Sequence, residues 1–260
     1  DIRDPRGPTY LGSASKRCQR VAFGAKTPKG RQIFYLAHHG DSWVTTPFLA
    51  TYTVDASGIV ANVDIIEDKK VLFEGLAYHP EGFLYVAAHG GGLRVYRLAE
   101  SGKPELVKVT GGLGNAWKVA LDVSGKRAFV ADQQLGLVVL DITKPSEPSV
   151  VVAVPTTAPP RDVVFDARAQ RVILALGGGG VDLFDLPVAG GAAATPTLNR
   201  TLAGRGSAQA VAVGDGILAV AAWNHLAVYD ALSLAPLAMQ RTRRAFEQDL
   251  GVAIVPGGVA

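Results

Sequence analysis

Two histidines at matching positions of similar segments are the residues best suited to chemistry in this sequence. His39 lies at the end of the segment "QIFYLAHHG", and His89 lies at the end of the segment "GFLYVAAHG". Imidazole nitrogens are common zinc ligands, but a zinc site needs a third or fourth ligand, and Asp41 is the candidate. The alternative is that both histidines are loop residues at the rim of a β-sheet. The sequence favours this alternative, and we predict no catalytic residue, no metal and no cofactor.

Aromatic and amide side chains at related positions favour a binding role. The positions equivalent to His39 in later segments hold Gln133, Gly177 and Trp223, and Trp43 follows His39 after four residues. Aromatic residues are enriched at the cores of protein interfaces, so these side chains are suited to an amphipathic contact patch. The predicted binding residues are His39, His89, Trp43, Trp223 and Gln133.

Two glycine-rich segments do not form known catalytic loops. The segment "HGGGL" (89–93) resembles the oxyanion loop of lipases, but the G-x-S-x-G elbow that such enzymes need is missing from the sequence. The segment "GGGG" (177–180) is not followed by the Gly-Lys-Ser/Thr of a phosphate-binding loop. We predict that it links two strands.

Short apolar segments that recur at a fixed period must position these residues. The aligned large residues are 44, 44, 44 and 45 positions apart, at Tyr52, Tyr96, Leu140, Phe184 and Tyr229. A second series of short apolar segments precedes these segments along the chain. A third series, rich in small residues, precedes the second one in each unit. A fourth series follows, so each unit contains four strands in about 44 residues. Four-stranded units of this length, repeated radially, are typical of a β-propeller.

The spacing predicts an all-β, single-domain β-propeller over residues 1–260, with six four-stranded blades. One composite blade, from residues 1–13 and 249–260, closes the predicted ring. We also expect the chain to be part of a longer protein. The five complete blades are expected at about 19–67, 73–110, 115–156, 160–204 and 207–245.

The segment "GLVVLDITKPSEPSVVVAV" (136–154), preceded by "AFVAD" (128–132), resembles the LVIVD repeat of bacterial and archaeal surface or secreted proteins. The N-terminal segment Asp1–Ser13 is similar to the same unit. The resemblance implies a propeller and an extracytoplasmic location, and it implies no common catalytic residues. From the residues themselves, Asp141 is predicted in a turn, with Pro145 and Pro148 outside the strand ladder, because proline lacks the N–H that a central strand needs.

Composition excludes several classes of partner. The net charge is +3 and the basic residues are scattered, so we predict no nucleic-acid binding, which needs a basic stripe interleaved with aromatic residues. No apolar run approaches the ~18 residues of a membrane span. The single cysteine, Cys18, excludes a disulfide within the chain.

Two functions follow from these patterns. The first is a non-catalytic scaffold that binds a protein or glycan partner on one face of the propeller. The alternative is a propeller hydrolase, such as a lactonase, with a metal or acid/base site at the central funnel. The acids nearest to that funnel are Asp132 and Asp162, and both are predicted to serve in turns. The sequence therefore favours the scaffold.

Overall fold

The structure is a computed structural model of the whole chain. It separates into two compact units, residues 1–109 and 110–260, which are described one at a time. Among the described residues, no helix is long and apolar enough to cross a membrane. The residues that the structure describes are 18–40, 46–187, 195–202, 206–223, 225–241, 252, 254, 255, 258 and 259.

The N-terminal unit contains two antiparallel sheets, each of four strands hydrogen-bonded in chain order. Its first strands lie next to each other, and a shared apolar core that includes Tyr35, Phe73 and Leu84 fills the space between the sheets. The first sheet consists of β1 (Arg20–Lys26), β2 (Gln32–His38), β3 (Phe48–Val54) and β4 (Val60–Glu67). The second sheet consists of β5 (Leu76–His79), β6 (Phe83–Ala87), β7 (Leu93–Leu98) and β8 (Pro104–Thr110).

The C-terminal unit contains three sheets of the same design and one short hairpin. The first sheet consists of β9 (Ala116–Asp122), β10 (Arg127–Asp132), β11 (Gly136–Asp141) and β12 (Ser149–Val154). The second consists of β13 (Asp162–Asp166), β14 (Arg171–Ala175), β15 (Val181–Asp185) and β16 (Thr197–Leu202). The third consists of β17 (Ala208–Gly214), β18 (Ile217–Ala222), β19 (His225–Asp230) and β20 (Pro236–Arg241). The hairpin pairs β21 (Ile254–Val255) with β22 (Gly258–Val259).

The burial of the strands follows their apolar pattern. Every residue of β10 and β14 is buried, and β14 packs against neighbouring sheets on both faces, with Val172 facing the first sheet of this unit and Ile173 facing the third. The fourth strand of the last sheet, β20, is exposed along its whole length. Nearly continuous apolar segments indicate burial on both faces, and this relation holds here. The predicted all-β fold of four-stranded units is confirmed.

The proline-containing connection is a turn, as predicted. Asp141 is the last residue of β11, and its Oδ1 accepts the N–H of Thr143 at 2.7 Å. Pro145 and Pro148 both lie between β11 and β12, outside the strand ladder. The hydrogen bonds from Thr143 hold the pKa of Asp141 below its usual range. Asp141 therefore stabilises the end of a strand.

The composite closing blade stays a prediction. Residues 1–17, which include its N-terminal part, lie outside the described residues. At the other end of the chain, β21 and β22 pair with each other. The number of blades therefore also stays a prediction.

Candidate functional site

Four side chains from two adjacent sheets meet at one end of the N-terminal unit. Arg20 begins β1, His39 directly follows β2, Glu74 lies two residues before β5, and His89 lies two residues after β6. Because β1 and β5 are neighbours, the start of one sheet and the start of the next come together there. The packing of these two sheets therefore brings together residues that are up to 69 positions apart in the sequence.

Glu74 is the centre of this cluster, and its side chain is only 2% exposed. Its Oε1 lies 3.0 Å from Nη2 of Arg20. Its Oε2 makes a short contact with Nδ1 of His39 and lies 3.7 Å from Nε2 of His89. The three atoms able to hold a metal, one each from His39, Glu74 and His89, all lie within 4.8 Å of one another.

The Glu74 carboxyl is ionised at neutral pH. Burial alone raises its pKa, because the charged form loses its hydration. The interactions with His39 and His89 and the positive charge of Arg20 outweigh this effect, and the pKa is about 2. A buried carboxylate thus faces two imidazoles while one arginine balances its charge.

Gln19 fixes the orientation of His39. Its Oε1 accepts the backbone N–H of His39 at 3.1 Å, and its Nε2 lies 3.0 Å from Nε2 of the imidazole. An amide nitrogen can only donate, so Nε2 of His39 accepts and Nδ1 carries the proton toward Glu74. The ring is therefore held on both of its nitrogens, and the proton must leave Nδ1 before this nitrogen can bind a metal.

His89 occupies a backbone conformation that suits glycine. Its φ is 49°, in the left-handed region. The turns 88–92 and 176–180 match: in each, the N–H of the first residue donates to the carbonyl of the fifth, at 3.0 and 2.9 Å. The residue equivalent to His89 in the second turn is Gly177, with a φ of 56°. A histidine at this position costs about 1 kcal/mol of backbone strain, and such strain concentrates at functional sites.

A pair of substitutions measures this strain. We expect His89→Gly to be more stable than His89→Ala by about 1 kcal/mol, because both remove the imidazole and only glycine relieves the left-handed conformation. Urea denaturation followed by circular dichroism gives the two free energies of unfolding. Equal stabilities would show that the turn relaxes around alanine and that His89 is unstrained.

The structure brings together two of the five predicted binding residues. The rings of His39 and His89 are 5.8 Å apart in an edge-to-face arrangement. Trp43 and the candidate ligand Asp41 lie outside the described residues. Gln133 and Trp223 belong to the C-terminal unit.

In the C-terminal unit these two residues have different surroundings. Oε1 of Gln133 accepts a hydrogen bond from Nδ2 of Asn115 at 2.9 Å. Trp223 follows β18, exposes 51% of its surface, and donates its backbone N–H to the carbonyl of Ser207 at 3.2 Å. Trp223 is thus available for contact, whereas Gln133 is partly engaged.

The two acids predicted to serve in turns have different roles. Asp132 is fully buried and accepts backbone N–H groups on both sides of its own position, so its turn role is confirmed. Its four donors are Gly114, Asn115, Gln134 and Leu135.

The turn role predicted for Asp162 is wrong. This residue begins β13, and its carboxylate lies 3.3 Å from Nζ of Lys118 in β9. Its other oxygen accepts the N–H of Val211 in β17 at 3.1 Å. Asp162 therefore ties together the first strands of three sheets.

Sequence reasoning missed Glu74. Glu74 lies two positions before the pair Leu76-Ala77 of the third, small-residue series. The other pairs of that series are Val21-Ala22, Val119-Ala120, Val163-Val164, Val211-Ala212 and Val252-Ala253, and the residues two positions before them are Gln19, Trp117, Arg161, Gln209 and Leu250. Among these aligned positions, Glu74 is the one acidic residue. An acidic residue at this position is visible in the sequence. Its role is not, because the sequence alone does not show that this position lies beside the two histidines.

Similarity to solved structures shows the class of fold. The chain resembles a protein of unknown function from Desulfotomaculum acetoxidans DSM 771 (15% identity, TM-score 0.67, covering 92% of this chain and 74% of that one). It also resembles a candidate 6-phosphogluconolactonase from Bacteroides uniformis ATCC 8492 (17% identity, TM-score 0.68, 90% and 74%). A chain of a nidogen/laminin complex is similar too (12% identity, TM-score 0.61, 88% and 84%). The chain is a β-propeller protein.

Within that class, one unit has a specific family match. Residues 113–156 match the LVIVD repeat, so the resemblance carried by "GLVVLDITKPSEPSVVVAV" is confirmed. No curated protein sequence matches the chain significantly.

Proposed function

We propose that the chain is an extracytoplasmic β-propeller protein that binds a divalent transition metal on His39, Glu74 and His89. The observation that carries this proposal is the buried, ionised carboxylate of Glu74, which faces two imidazoles within 4.8 Å. The LVIVD match supports the extracytoplasmic location. The proposal departs from the sequence prediction of no metal, because Glu74 supplies the third ligand that the histidine pair needed.

The ligand types indicate the class of metal. Two imidazole nitrogens and one carboxylate oxygen suit Zn²⁺ and Fe²⁺, whereas Ca²⁺ and Mg²⁺ prefer oxygen ligands throughout. Three protein ligands are also fewer than the four of a closed structural zinc site. An open position for a further ligand is therefore part of the proposed site, and it lends support to the hydrolase alternative.

A non-catalytic scaffold for a protein or glycan partner is the second candidate. Trp223 favours it, because half of this large aromatic side chain is exposed on the C-terminal unit. Exposed aromatic residues commonly anchor interfaces. In this case the His39–Glu74–His89 cluster would be a structural ion-pair network, and the protein would bind no metal.

Metal content separates the two candidates. We expect about one equivalent of Zn²⁺ per chain, measured by mass spectrometry of the metal after dialysis against buffer containing Zn²⁺. The double variant His39→Ala/His89→Ala should lose this metal while its circular dichroism spectrum stays that of the wild type. The matched control is His79→Gln, which changes another histidine of the same unit, at the far end of β5, and should keep the metal. A wild type that takes up no Zn²⁺ contradicts the proposal and favours the scaffold.

A further inference from the structure

We propose that the open position of the metal site takes an oxyanion, a carboxylate or phosphate group, which Arg20 holds beside the metal. This inference rests on the proposed function. It names the chemical class of ligand or substrate that the site accepts.

The charges of the metal-loaded site favour the binding of an anion. A divalent metal and the Arg20 guanidinium supply three positive charges, and metal-ligating imidazoles are neutral. Against these charges, Glu74 is the one acidic group of the described residues that lies within 4.0 Å of Arg20, His39 or His89. Two of these positive charges therefore have no counter-charge within the described part of the chain, and a bound oxyanion reduces this excess.

Arg20 has hydrogen-bonding capacity left for such a ligand. Its Nη2 contacts Glu74 and its Nη1 donates to the carbonyl of Gln19 at 3.0 Å. Its Nε is buried and has no hydrogen-bond partner among the described residues. A guanidinium has five N–H donors in a planar fork that matches the two oxygens of a carboxylate or phosphate. An unpaired buried donor is costly, so a ligand that rearranges and completes this fork gains affinity.

The exposure of the four side chains defines the side from which the ligand enters. Glu74 forms the buried floor, whereas Arg20 is 25% exposed and His39 is 31% exposed. These two partly exposed groups therefore border the opening. An oxyanion that enters there can bind the metal with one oxygen and Arg20 with another.

Cobalt substitution tests the inference, because Zn²⁺ has a filled d shell and gives no visible spectrum. The protein is loaded with Co²⁺ and titrated separately with acetate and with inorganic phosphate. We expect a saturable change in the visible absorption with at least one of these anions, and the stronger response identifies the carboxylate or phosphate class.

Variants of Arg20 distinguish oxyanion binding from a structural role. We expect Arg20→Gln to weaken the oxyanion about 10-fold or more, since it removes charge-assisted hydrogen bonds. The same variant should keep or increase Co²⁺ affinity, because it removes a positive charge from beside the metal. Arg20→Lys should fall between the two. The matched control is Arg31→Gln, whose arginine is similarly exposed and also pairs with a carboxylate, Asp55, in the same unit.

Three outcomes overturn the inference, and each differs from a failure of the proposed function. Co²⁺ that binds without any spectral response to either anion shows that no oxyanion completes the site. A response that appears only in Asp41→Asn shows that this acid of the chain already occupies the position. Equal oxyanion affinity in the wild type and Arg20→Gln shows that Arg20 does not hold the ligand. A protein that binds no Co²⁺ instead rejects the metal site itself.

Discussion

Replacing Glu74 by glutamine is expected to lower the affinity of the protein for Zn²⁺ by about 100-fold or more. Glutamine keeps the shape of the side chain and its capacity to hydrogen-bond, but it removes the negative charge that faces the metal. Groups that only touch metal ligands already change affinity by about 10- to 100-fold, so a charged ligand should reach or exceed that range. Competition with a chromophoric chelator measures the dissociation constant.

The control for this variant is Asp55→Asn in the same unit. Asp55 also pairs with an arginine, since its Oδ2 lies 2.9 Å from Nη1 of Arg31, but it belongs to a separate turn. We expect unchanged Zn²⁺ affinity in this variant. If Glu74→Gln binds Zn²⁺ as tightly as the wild type does, the carboxylate of Glu74 is not a metal ligand.

Replacing Asp122 by alanine is expected to lower the free energy of unfolding by about 3–5 kcal/mol, because it leaves a buried guanidinium without its counter-ion. The side chains of Asp122 and Arg127 are 2% and 6% exposed, and Nε of Arg127 donates to Oδ2 of Asp122 at 3.0 Å. Asp122 also accepts hydrogen bonds from Ser124 and Gly125 in the turn between β9 and β10. Urea denaturation monitored by circular dichroism gives the loss.

Two further variants test the reason for this loss. Glu147→Ala breaks an exposed ion pair with Lys144 and should change stability little. The double variant Asp122→Ala/Arg127→Leu should recover part of the stability, because no buried charge then lacks a partner. A double variant less stable than Asp122→Ala would show that the packing of Arg127, rather than its charge, stabilises the turn.

Much of the fold was predictable because the repeat fixes the register of its strands. Tyr96, Leu140 and Phe184 occur at intervals of 44 residues, and all three are buried at equivalent positions of third strands. An independent apolar segment is ambiguous between helix and strand, whereas the same segment repeated at a constant spacing with turn residues between copies is not.

The candidate site was only half predictable, because its contacts join neighbouring sheets. His39 and His89 stand out in the sequence, since they follow matching strands. Glu74 lies 35 residues from His39, and its role depends on β1 and β5 being side by side. Asp162 was misjudged for the same reason, since its partners Lys118 and Val211 lie on the first strands of two other sheets. Local turn chemistry does not reveal such long-range partners.

The shared turn at 88–92 and 176–180 means that two units of the repeat hold side chains at equivalent backbone positions. The backbone bond from Glu74 N–H to the carbonyl of Ala87 recurs as that from Arg161 N–H to the carbonyl of Ala175, at 2.9 and 2.7 Å. The two units thus share these backbone positions and differ in the side chains attached to them. The unit of the first turn has Glu74 and His89 at these positions, and the unit of the second turn has Arg161 and Gly177. A few point substitutions can therefore add or remove a cluster of polar side chains at these positions in either unit, while the backbone of the repeat is unchanged.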